Sequence, residues 1–291
     1  MSDNNENKLI KAIKEKSQGL EVEMSFFDHL EELRWHLIRA SIAVLIFTGL
    51  AFYYYDFIFD SVIMGPSHTN FWTYQALCNL GNYLHRTGWC VETINIKLMN
   101  NELAGQFTLQ LNSSLIIGIT AGIPYVLYEL WRFIKPALHD KERKAATGFV
   151  FYATFLFALG VFFGYFIITP MSIRFLVGYE VSASIENLYT IDNYLSSVAT
   201  LTLASGLVFQ LPIIIYILSN LGILTVQFMR SSRRYAIVVI LIIAAVVTPT
   251  PDAITMMVVS VPLFILYEVG IMVAGRVEKR KLKKHDELMK S

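Results

Sequence analysis

Six long stretches of this chain are apolar and nearly free of charge, and no other feature narrows its possible folds as far. They cover residues 37–55, 107–133, 146–169, 195–221, 235–247 and 253–275. The hydrocarbon core of a bilayer is about 30 Å thick, so a helix rising about 1.5 Å per residue needs about 20 apolar residues to cross it. In lipid, backbone N–H and C=O groups find no water, which leaves helix as the conformation for each run. The expected fold class is all-α: a polytopic membrane protein with six transmembrane helices, both termini cytoplasmic, and short fifth and sixth helices. Composition agrees, since only 16% of residues are charged, against about 25% in soluble domains. A soluble enzyme, a disordered chain and a disulfide-dense secreted module are all poor fits.

The fifth run is the awkward one, because residues 235–249 reach only about 22 Å as a helix. Either the bilayer thins around it or the segment is re-entrant; spanning is the preferred reading. Orientation follows from Lys and Arg near the helix ends. With the N-terminus inside, 21 of the 24 basic residues lie on the cytoplasmic side, leaving Arg86, Lys97 and Arg174 outside. The first run begins too late for a signal peptide and is followed by five more. The expected organisation is a mobile cytoplasmic tail (1–24), a six-helix transmembrane domain (25–275) with an extracytoplasmic cap loop (56–106), and a basic cytoplasmic tail (276–291).

The cap loop holds both cysteines, Cys78 and Cys90, with Trp72, Tyr74, Tyr83 and Trp89 near them. On the outer face a disulfide is chemically permitted and would contribute about 3 kcal/mol in the chain-entropy model. The bridge is preferred to two buried free thiols.

No phosphate-binding glycine motif is present, the six histidines are dispersed, and the cysteines lack zinc spacing. No metal, no cofactor and no nucleic-acid partner is expected, and no enzymatic activity. Acids on the basic side are more informative. Ser25 and Asp28 form an S-x-x-D capping box, and Phe26, Phe27, Leu30, Leu33 and Leu37 follow at helical spacing. That pattern predicts a short amphipathic helix on the inner surface, running into the first span, with Asp28, Glu31, Glu32 and Arg34 on its polar face. Pro136 should end the second helix, leaving Glu142 near the membrane surface beside Phe133. From charge pattern alone, simple pairing of these acids with neighbouring Arg and Lys is the better reading.

Polar groups at membrane depth are costly unless satisfied. Gln210, just before Pro212, lies mid-membrane, with Glu129 and Glu268 toward the inner ends of the second and sixth runs. A hydrogen bond across helices and a functional role are equally good readings of Gln210. Gly160 and Gly164 form a G-x-x-x-G, most simply a close helix contact within the chain.

Three stretches together resemble one family. His29-Leu30-Glu31-Glu32-Leu33-Arg34 resembles the H-L-x-E-L-R signature of TatC, the multispanning subunit of the twin-arginine protein translocase. Residues 131–138 with Glu142-Arg143, and residues 248–252 followed by Pro262 and Leu266-Tyr267-Glu268, look like its second and third signatures. They lie in order and fit the same six-span plan.

The resemblance implies a receptor in the cytoplasmic (inner) membrane that reads an Arg-Arg signal on folded cargo, with export driven by the proton gradient. It places signal-peptide binding on Glu32, Glu142, Phe133 and Arg34. Chemistry supports the pair of acids, because guanidinium is planar, permanently charged and bidentate toward carboxylate. It also implies single-span partner subunits of the TatA and TatB type, contacted through Gln210 and Glu268, in an oligomeric complex within the lipid bilayer. Pro66 matches a proline that shapes the first outer loop, and a short fifth helix fits a thinned bilayer. Two departures stand out: His36 replaces a second basic residue, which either softens the charge balance near Glu32 or makes it pH-sensitive, and the cap loop is longer than the family pattern. The rival reading is a secondary transporter of a small solute or ion, but no half-to-half repeat supports it.

Overall fold

The computed structural model describes residues 26–83, 85, 90, 96, 98–134, 148–180, 182, 187–248 and 253–290. Helix α1 (Phe26–Tyr53) leads through short turns into a cap. The cap contains α2 (Trp72–Tyr83) and strand β1 (Leu98–Met99). Then come α3 (Gly105–Ile134), α4 (Phe149–Phe163), α5 (Thr169–Gly178), strand β2 (Tyr189–Thr190), α6 (Ile191–Val208) and α7 (Leu211–Asn220). Helices α8 (Val226–Ser231), α9 (Arg233–Val247) and α10 (Ala253–Lys290) complete the chain.

Among the described residues, five helical stretches are long and apolar enough to cross a membrane: Leu30–Tyr53, Gly105–Ile134, Val150–Gly178, Ile191–Asn220 and Thr255–Lys283. The fifth apolar run becomes α9, whose 15 residues reach about 22 Å. Outward-facing residues along these helices are apolar: Leu45 is 64% exposed and Phe151 69% exposed. In water such a surface would aggregate, whereas lipid solvates it.

Two expectations are adjusted. The amphipathic start and the first span are one unbroken helix of 28 residues, since no Gly or Pro interrupts them before Gly49. The sixth helix is not short. Helix α10 has 38 residues, because the segment after Gly275 is rich in Arg, Lys, Glu, Leu and Met and contains no Gly or Pro to break it. The Lys281 ammonium also donates to the carbonyls of Ser219 at 3.0 Å and Asn220 at 2.7 Å. A cation there meets carbonyls at the negative end of α7 and holds the extension in place.

Small residues decide which helices pair. A Cβ on Gly118 would lie 2.6 Å from Thr48 Cα, so α1 and α3 touch backbone to backbone. Gly160 and Gly164 face Ser205, Gly206 and Leu201, which makes the G-x-x-x-G the contact between the third and fourth apolar runs. The fourth run breaks at Phe209 and Gln210. Pro212 brings no N–H, Gln210 N–H closes on Leu207 O at 3.0 Å, and the chain restarts as α7 with Pro212 in its first turn. Ile168, Leu201, Phe209, Ile240, Ala244, Leu263 and their neighbours fill the core where the last four runs meet.

The cap is tied down by buried phenols. Tyr74 Oη donates toward both Pro66 O at 3.0 Å and Pro170 O at 3.1 Å. Burial pushes the Tyr74 phenol well above its usual range, so it stays a donor. Tyr194 Oη donates to Ile63 O at 2.8 Å. Leu98–Met99 pairs in parallel with Tyr189–Thr190, joining the two connections at this end of the bundle. Cys78 and Cys90 are joined by a disulfide.

Candidate functional site

Where α1 begins and α3 ends, four side chains meet. Glu32 and His36 are one helical turn apart on α1, and Glu129 and Phe133 one turn apart on α3, so each pair shares a face. The glycine contact at Gly118 and Gly122, against Thr48 and Val44, presses those faces together. His36 Nδ1 bonds to Glu129 Oε2. Its other nitrogen, Nε2, stands 3.9 Å from Glu32 Oε1. The imidazole meets the Phe133 ring edge-on, with centroids 6.2 Å apart.

Burial makes this cluster unusual. Glu129 is 1% exposed and His36 6% exposed. An isolated buried carboxylate costs several kcal/mol of desolvation, by order-of-magnitude estimate, unless a partner neutralises it. His36 is the nearest such partner; Arg132 Nη1 lies farther off, 3.9 Å from Glu129 Oε1, with its guanidinium 6.0 Å from the Tyr128 ring centroid. Glu32 differs, because a third of its side chain remains exposed. Its Oε2 is itself buried and has no hydrogen-bond donor among the described residues. The site therefore offers a partly exposed acid side chain, one turn from the imidazole that meets the Phe133 ring. That chemistry suits a cation with several N–H donors.

Of the residues expected at this site, the structure brings together Glu32 and Phe133, through His36. Arg34 is exposed two positions on, a spacing that turns it away from Glu32. Glu142 lies outside the described residues, as do Thr250, Pro251 and Asp252. Gln210 is buried between the third and fourth runs, where its Nε2 donates to Ala153 O at 3.0 Å while Oε1 has no donor among the described residues. Glu268 pairs with Arg233 at 2.8 Å. Pro66 is buried at the cap end under Tyr74. No group of three or more potential metal ligands occurs among the described residues.

The model of the family described as "Sec-independent protein translocase protein (TatC)" matches residues 28–262. The chain belongs to the TatC family. It is 37% identical over 261 residues to the Sec-independent protein translocase protein TatC of Blattabacterium sp. subsp. Periplaneta americana, covering 89% of this chain and 98% of that protein. The TatC of Aquifex aeolicus is 32% identical over 261 residues, with the same two coverages of 89% and 98%. Among solved structures, a crystal structure of the twin arginine translocase receptor TatC matches with TM-score 0.61 and 29% identity, over 86% of this chain and 99% of that one. A second, in DDM, matches with TM-score 0.63 and 32% identity, over 84% and 99%. As a TatC protein, the chain is a multi-span membrane component of a protein translocase and not an enzyme.

Two members of the TatC cluster were not assigned a role from sequence. Glu129 reads there only as an acid at membrane depth, and His36 only as a departure from the signature. The available signal was spacing: Glu32 with His36, and Glu129 with Phe133, are both i, i+4 pairs at helix ends that a shared surface would bring together.

Proposed function

We propose that this chain is the receptor and core subunit of a twin-arginine translocase. It binds the Arg-Arg signal peptides of folded proteins, for export driven by the proton gradient. Glu32 carries the reading: a partly exposed carboxylate at the mouth of the helix pair, one turn from the His36 ring that meets Phe133. One guanidinium of the signal binds Glu32 and lays its apolar stem against Phe133; the other binds Glu142. Arginine is favoured over lysine because its fork engages both carboxylate oxygens at once. Arg34 flanks the site on the same helix.

This reading sets the layout. The chain makes six passes of the cytoplasmic (inner) membrane, and the Glu32 end faces the cytoplasm with both termini. The concentration of Lys and Arg near that end supports it. Photocrosslinking from Phe133 tests the recognition step. A probe there should label an Arg-Arg signal peptide about tenfold more than its Lys-Lys counterpart, the ratio expected when about 1.4 kcal/mol of binding is lost. Equal labelling refutes the assignment.

Single-span partners of the TatA and TatB type are proposed to dock near Gln210 and Glu268, in an oligomeric complex. Gln210→Leu is expected to weaken crosslinks to those partners, while the chain still inserts and folds. Undiminished crosslinks would leave Gln210 as a tie to Ala153 alone.

A further inference from the structure

Glu32, His36 and Glu129 form a line of acid, imidazole and acid. Nδ1 of His36 bonds Glu129, and Nε2 faces Glu32 at 3.9 Å. A neutral imidazole has one proton. With that proton on Nδ1, Nε2 turns a lone pair toward the Glu32 carboxylate, and the two repel. A protonated ring donates at both nitrogens and attracts both acids. Among the described residues, the other charged or titratable groups near the ring lie on the same two helices: Arg132 and Tyr125 on α3, and Arg39 one turn further along α1. Arg132 is directed at Glu129 rather than Glu32. Among the described residues, His36 is thus the basic side chain that faces Glu32.

We propose that His36 is a placeholder for the signal arginine: protonated, it faces the Glu32 carboxylate in the empty receptor, and an arriving guanidinium expels its Nε2 proton to water. The inference rests on the reading of Glu32 as a guanidinium site. His36 is a positioning residue, acting on the ligand through Glu32, and Glu129 holds the ring in place. Because proton and arginine compete for one carboxylate, binding tightens as pH rises through the imidazole range. Full competition of one proton with one guanidinium gives up to about tenfold in affinity per pH unit. The peptide contributes no slope, since guanidinium stays charged throughout.

The test uses the full chain in lipid nanodiscs and a fluorescent Arg-Arg signal peptide, with affinity measured from pH 5.5 to 8. Calorimetry at pH 6 in two buffers of different ionisation enthalpy counts protons released by the unaltered protein. The expected result is net proton release on binding and affinity that climbs with pH. His36→Gln should bind with a flat profile and release no proton. Glu129→Gln should move the transition to lower pH, since the lost carboxylate no longer favours the charged ring. No proton release from the unaltered chain overturns the proposal whatever the variants do, as does an equal slope in His36→Gln. Arginine selectivity over a Lys-Lys peptide with a flat profile removes His36 alone. Loss of that selectivity at every pH removes the Glu32 site and this inference with it.

Discussion

Export of a folded reporter carrying an Arg-Arg signal is expected to fall more than about a hundredfold when Glu32 and Glu142 are both replaced by Ala. Truncating one partner of a desolvated, hydrogen-bonded charge pair costs about 2–5 kcal/mol, and each 1.4 kcal/mol is about a factor of ten. Loss of Glu32 alone should account for much of this, because its side chain is a third exposed at the mouth of the α1–α3 pair, whereas its neighbour Glu129 is too buried to stand in. Glu31→Ala is the matched control. Glu31 is exposed on an adjacent side of α1, and a solvated acid contributes within about 0.5 kcal/mol. Export measured beside membrane insertion separates the effects: the double variant should insert normally and fail to export. Normal export would sink the recognition mechanism and leave the fold untouched.

The largest expected effect on folding comes from Gly164→Leu. Even a Cβ at this position would lie 2.8 Å from Ser205 Cβ, 2.9 Å from Leu201 O and 2.9 Å from Thr202 Cα. Two of those atoms are backbone of α6, which cannot rotate aside as a side chain can. The third and fourth runs would have to part, opening the core around Ile168, Leu201 and Phe209. Overpacking of this kind costs about 3 kcal/mol or more. Without a hydrophobic drive between helices in lipid, close van der Waals contact is what holds the pair. The purified variant should show a clearly lower thermal midpoint and a smaller monodisperse fraction in detergent. Gly49→Leu is the comparison, since nothing lies within 4 Å of its Cβ position and the added side chain enters lipid. Equal stability of the two variants would mean that the glycine contact does not hold these helices together.

Several features could be read directly from residues close together in the chain. The apolar runs become helices because lipid leaves their backbones no alternative. Pro212 breaks the fourth run where its missing N–H requires. Gly222 ends α7 with φ at +77°, and Ile223 N–H reaches back to Leu218 O at 3.0 Å, a closure that favours glycine. The expectation for the sixth helix failed for a related reason: hydropathy marks where lipid ends, but a helix ends only at a breaker, and residues 276–290 have none.

The candidate site was legible only in half. Glu32 and Phe133 could be named through the family signatures, yet nothing local says that Glu129 meets His36 across 93 positions of sequence. Nor does spacing say whether Gln210 turns toward Ala153 or toward a partner.

By itself, the sequence determined which segments are helical and lipid-exposed, and which acids lie near helix ends, since those properties depend on hydropathy and on neighbours within a turn or two. The tertiary structure alone decided which helix faces meet. That choice depends on where Gly118 lets α1 approach α3 and where Gly160 and Gly164 admit α6, and close contact between two surfaces distant in the chain leaves no periodic trace in either. The pairing of Glu129 with His36, and so the charge presented beside Glu32, follows from that contact.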